Sequence, residues 1–159
     1  MNLLAIDPGP VVSGWVLVDT ATLKVLASGK ESPTSEVISA VRKNEIAGLP
    51  FDSVACEMIA SYGMAVGAEV FDTCTRIGRI EEAWESTTGG TVRRVFRQKA
   101  KMHLCNSPRA KDANVSQALK DKLGEVGTSK NPGPLYGIAK HAWAALAVAV
   151  YAVEVAEES

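Results

Sequence analysis

Three short apolar segments open the chain, and the first two end on acids. Asn2–Asp7 carries Leu3-Leu4-Ala5-Ile6 up to Asp7, Val12–Asp19 carries Trp15-Val16-Leu17-Val18 up to Asp19, and residues 24–28 follow. Short apolar runs bounded by turn residues predict strands, here an antiparallel meander with Pro8-Gly9 at its first reversal. Ser32-Pro33-Thr34-Ser35-Glu36 reads as a helix start, with Val37, Ile38 and Val41 on one face. Residues 51–58 form a fourth strand with Glu57 near its end. Over residues 64–84, Val66, Val70, Cys74, Ile77 and Ile80 recur at helical spacing with Glu81, Glu82 and Glu85 outside, until Gly89-Gly90 stops the helix. Residues 92–97 alternate as a fifth strand. A loop at Asn106-Ser107-Pro108, a helix over 111–123, a Gly/Pro-rich connector over 124–134 and a last helix over 137–157 complete the chain.

This order predicts a single α/β domain over residues 1–159. Its core is a five-stranded mixed sheet, an antiparallel meander followed by parallel fourth and fifth strands, with helices on both faces. The longest apolar run, in the last helix, is too short to span a bilayer, and the start carries no basic, small-residue secretory signal. Cys56, Cys74 and Cys105 are odd in number and form no CxxC pair, which argues for a reducing, cytoplasmic compartment and against a disulfide framework or zinc site.

A net charge of −1 hides a segregation. Arg93, Arg94, Arg97, Lys99, Lys101, Arg109 and Lys111 fall in one stretch that holds no acid, while the rest of the chain is strongly acidic. Such a strip points to a polyanion, nucleic acid first; the plainer reading is a charged edge strand kept in solvent.

Asp7 is the most informative residue. A carboxylate at the end of a buried strand costs several kcal/mol unless a cation or donors meet it. In the predicted order the first strand is central and the fourth lies parallel beside it, so Asp7 and Glu57 become neighbours. Two adjacent carboxylates raise each other's pKa unless a cation neutralises both, and hard oxygen ligands select Mg²⁺ or Mn²⁺.

Ala5-Ile6-Asp7-Pro8-Gly9 with Ser13-Gly14, Ala55-Cys56-Glu57, the basic stretch running into Ala110-Lys111-Asp112-Ala113-Asn114-Val115, and His141-Ala142-Trp143-Ala144-Ala145-Leu146-Ala147 together resemble the RuvC-type Holliday-junction resolvases of the ribonuclease-H-like superfamily. The resemblance spans nearly the whole chain, though only the Asp-Pro-Gly element is specific alone. The compact length and Glu57-Met58-Ile59-Ala60-Ser61-Tyr62-Gly63 look most like the phage-encoded branch, which implies the host cytoplasm.

The resemblance implies a homodimeric, Mg²⁺-dependent endonuclease, with Mn²⁺ as substitute, that nicks four-way or otherwise branched DNA without a nucleotide cofactor. Two metals per site would be held by Asp7 (bridging), Glu57 and His141. Tyr62 falls where such enzymes place an aromatic wedge at the crossover, and the 64–84 helix matches a dimer helix, assigning Val66, Val70 and Ile77 to an interface. One departure stands out: the family's last helix usually offers a second ligand three residues on, where this chain has Ala144. Asp112 is the candidate replacement, with a helix-capping role as its alternative; Lys140 and His103 fit phosphate or solvent. Ala144 keeps a second function open, that of a branched-DNA-binding protein without turnover. A third, an actin-like nucleotide binder, needs a second phosphate loop and a longer chain.

Overall fold

The computed structural model describes residues 1–157. Its main sheet has five strands: β1 (Asn2–Asp7), β2 (Val12–Asp19), β3 (Val25–Pro33), β6 (Ser53–Met58) and β7 (Arg93–Phe96), in the order β3-β2-β1-β6-β7. β1 pairs antiparallel with β2, placing Asp7 opposite Gly14, and β2 pairs antiparallel with β3. β6 runs parallel to β1, with Cys56 beside Ile6, and β7 runs parallel to β6, with Phe96 beside Met58. The expected mixed sheet is therefore present, and the C-terminal ends of β1, β6 and β7 meet at one sheet edge. Beside it, β4 (Glu45–Ile46) and β5 (Leu49–Pro50) form a two-stranded ribbon.

Strand residues alternate between two cores. Leu3, Ala5, Val16, Val18, Ala55 and Val95 face α3 (Arg97–Cys105), α4 (Asp112–Leu123) and α5 (His141–Glu154). Leu4, Ile6, Trp15, Leu17, Val54 and Cys56 face α1 (Thr34–Lys43) and α2 (Ala68–Thr88). This two-sided burial is why β1 and β2 read as unbroken apolar runs. α5, with Ala142, Ala145, Leu146 and Ala149 fully buried, lies across β1 and β2. No helix among the described residues is long and apolar enough to cross a membrane.

Several boundaries differ from the sequence expectation. β3 continues to Pro33 rather than stopping at residue 28, because its pairing with β2 reaches Val12↔Pro33. α2 starts at Ala68, not residue 64; residues 61–67 are solvent-exposed and include two glycines. α5 starts at His141 rather than 137, since Gly137 (φ 91°) and Lys140 (φ 49°) sit outside helical backbone, and it ends at Glu154 rather than 157. α3 has no counterpart in the sequence expectation: the basic stretch after β7 is a helix.

Candidate active site

Sheet topology assembles the site. Asp7 ends β1, Glu57 is the penultimate residue of β6, Arg97 follows β7 as the first residue of α3, and His141 starts α5. His141 Nδ1 lies 3.2 Å from Asp7 Oδ2, so a proton on Nδ1 donates to the carboxylate. Glu57 is almost wholly buried, while the His141 side chain is half exposed. These side chains line a cavity of about 240 Å³ together with Arg97, Lys101, Asp112, Lys140 and Ala144. A larger groove of about 750 Å³, bordered by Pro8, Tyr62, Val70, Arg97, Lys101 and Pro108, shares Asp7, Glu57 and His141 with it.

The electrostatics are those of an under-neutralised acid pair. Burial, then the hydrogen bond and repulsion from Asp7, push the Glu57 carboxyl up to about 8. Burial also raises Asp7, opposed by its hydrogen bond with Glu57 and by the Arg97 guanidinium. Arg97 is shared: Nη1 lies 3.7 Å from Glu57 Oε1, and Nη2 donates to Asp112 Oδ1. Lys101 Nζ stands 3.9 Å from the same Asp112 oxygen.

Local sequence explains the placement. A Cβ on Gly14 would lie 2.3 Å from the His141 carbonyl carbon and 2.6 Å from its Cβ, so this glycine lets α5 seat its first residue directly on β2, beside Asp7. Gly9 serves the closure of the loop itself, since a Cβ there would meet the Val12 carbonyl oxygen at 2.2 Å. That loop is pinned by a buried relay in which Gly9 N–H donates to Ser13 Oγ, Ser13 pairs with Thr34 at 2.7 Å, and Thr34 Oγ1 donates to the Gly9 carbonyl at 2.8 Å.

Two assignments from sequence need correction and a third is refined. Ile77 is 1% exposed and belongs to the core under α2, so it cannot serve an interface; Val66 and Val70 remain at or near the surface. Arg93 and Arg94 do not share one face, because successive strand residues point to opposite faces. Arg93 donates to the Ala152 carbonyl and lies over the Tyr151 ring, whereas Arg94 forms a two-point pair with Glu81. Asp112 stands at the start of α4, but Asn114 Oδ1, not Asp112, accepts the Lys111 N–H there. Lys99 and Lys111 are exposed, as is Arg109, and Lys140 pairs with Glu31 at 3.1 Å. His103 bonds Glu154, away from the site. Arg97's double attachment was not foreseen; its only sequence signal is a basic residue directly after a strand whose neighbours end in acids.

Two carboxylates and an imidazole on one cavity suit a hard divalent cation by donor chemistry. As they stand, however, no group of three or more His, Cys, Asp or Glu side chains among the described residues is placed to hold a metal ion. Ala144 lines the cavity one helical turn beyond His141 and offers no ligand.

No family model matches the sequence, and no curated protein matches it. Solved structures do. The chain is similar to the Thermus thermophilus RuvC structure at 20% identity and TM-score 0.68, over 94% of this chain and 92% of that one. It is also similar to T. thermophilus RuvC in complex with a Holliday junction substrate, at 17% identity and TM-score 0.67, over 94% and 91% of the two chains. At these identities the likeness establishes a shared fold.

Proposed function

We propose that this protein is a homodimeric, metal-dependent endonuclease that cuts four-way or related branched DNA, of the phage-encoded RuvC type. The observation that carries the reading is the convergence of Asp7, Glu57 and His141 from three separate elements on one cavity that opens into a groove. The fold shared with RuvC, including a structure bound to a Holliday junction, supports the substrate class.

Asp7 and Glu57, with His141, would hold Mg²⁺ or Mn²⁺. When bound, the metal lowers the pKa of a coordinated water and stabilises the leaving oxygen of an in-line displacement. Glu57, pushed up to about 8, would have to give up its proton to serve as a ligand. Arg97 and Lys101 neutralise the phosphodiester, and Lys99, Arg109 and Lys111 hold flanking phosphates without reading sequence. Tyr62, half exposed on the groove rim, packs against unstacked bases at the branch point. Val66, Val70 and the exposed Phe71 supply apolar surface for a second subunit.

A second reading is specifically favoured by Ala144: a branched-DNA-binding protein of the same fold with weak or no turnover. A labelled four-way junction incubated with Mg²⁺ or Mn²⁺ separates the two. The nuclease reading expects paired nicks that Asp7→Asn and Glu57→Gln abolish while binding persists. Binding without nicks in either metal selects the second reading, and full activity in Asp7→Asn removes the metal mechanism.

A further inference from the structure

Resting on the metal-nuclease reading above, we propose that Arg97 is a phosphate-binding residue held in reserve. Before DNA arrives its guanidinium is bonded to Asp112 and stands beside Glu57, where a mobile cation would bind; the DNA backbone then draws it away and opens the cavity to the metal.

The geometry sets this up. Arg97 spans two unequal partners: Glu57, whose side chain is 11% exposed, and Asp112, whose side chain is 81% exposed. The Asp112 half of the bridge stands in water and is weakly held. Arg97 itself is half exposed and borders both the small cavity and the larger groove. It therefore stands where the small cavity meets the groove in which a phosphodiester would lie. A planar guanidinium matches phosphate with two parallel hydrogen bonds, so an incoming phosphate is a stronger partner than a solvated carboxylate.

The same placement works against a cation among the acids. A positive charge 3.7 Å from Glu57 opposes a second one in the same small cavity. Lys101, 3.9 Å from Asp112, adds to that opposition. Removal of Arg97 to the groove relieves it, so DNA and metal favour each other, and linkage requires that each tighten the other by the same factor. Arg97 is the first residue of α3, with a half-exposed side chain that is free to turn toward the groove.

The test measures metal binding, not turnover. Mn²⁺ is titrated calorimetrically into wild type, Arg97→Gln and Arg97→Lys without DNA. Arg97→Gln binds Mn²⁺ roughly threefold to tenfold tighter than wild type, and Arg97→Lys, which keeps the charge, stays near wild type. Should Arg97→Gln fold poorly by circular dichroism, Arg97→Met keeps the aliphatic stem and serves the same readout. In a second arm Ca²⁺ replaces Mn²⁺ in the presence of a four-way junction, with strand integrity checked on a gel. The junction tightens Ca²⁺ binding by wild type and leaves that of Arg97→Gln unchanged. Unchanged or weaker Mn²⁺ binding by Arg97→Gln overturns the proposal, as does equal tightening by DNA in both proteins. If wild type itself binds no Mn²⁺ and Asp7→Asn nicks as wild type does, the metal mechanism fails instead; Mn²⁺ binding lost in Asp7→Asn but unmoved in Arg97→Gln sinks only the role of Arg97.

Discussion

Glu57 holds a proton at neutral pH because burial and Asp7 leave its charged form poorly solvated. Between the ordinary Glu value of 4.5 and about 8, the folded protein keeps a proton that the unfolded chain has released. Stability of the metal-free protein therefore falls as pH rises through that window, and the loss is complete above about 8. Melting temperatures in EDTA should drop from pH 5.5 to 8.5, with Mg²⁺ restoring more at the upper end; a flat profile would mean that Glu57 is not the buried acid described. Glu57→Gln removes the charge at fixed shape, so it should flatten this profile while costing roughly a hundredfold or more in nicking. Position 144 offers a gain in place of a loss. Ala144 faces the cavity one turn from His141, and Ala144→Asp should add a ligand and tighten Mn²⁺ roughly tenfold, measured by calorimetry. No gain would show that the helix points this position away from the cation.

Among the elements, the seating of α5 on β2 decides where His141 stands. Gly14→Ala forces a methyl into the His141 backbone, and we expect about 1–3 kcal/mol of destabilisation in urea melts together with weakened Mn²⁺ binding. Unaltered stability would show that the helix start yields at no cost. β1 and β2 were legible to the residue because both faces are buried and both runs end in an acid. α3 was not, because Ala100 is its one buried residue and no apolar stripe marks it; only the helix-favouring run Arg97-Gln98-Lys99-Ala100-Lys101-Met102 gave a hint. Ile77 shows a different limit. A stripe at helical spacing says that something covers it, but a sequence does not say whether that is the chain's own sheet or a second subunit. Arg93 and Arg94 are neighbours on a strand and cannot share a face, which the alternation of a strand already implies. The contact between Gly14 and His141 joins residues 127 positions apart and leaves no local signature.

At the scale of the whole molecule, the basic strip is partly dismantled by the fold: Arg93 and Arg94 are spent on internal contacts, and Arg97 is drawn into the acidic cavity. The basic residues left to meet the proposed DNA lie on and after α3. Arg109→Gln and Lys111→Gln should each lower the slope of log K against log salt by about 1, whereas Arg93→Gln should leave the slope alone and lower stability. Equal slopes in all three would move the DNA surface elsewhere. The sheet edge, the cavity and the groove nonetheless share one organising claim, that Asp7, Glu57 and His141 gather around a divalent cation. Crystals grown in Mn²⁺ and measured at the manganese absorption edge test it directly. The account predicts an anomalous peak within bonding distance of Asp7 and Glu57, beside His141; a well-ordered site with no peak among those three side chains would contradict it.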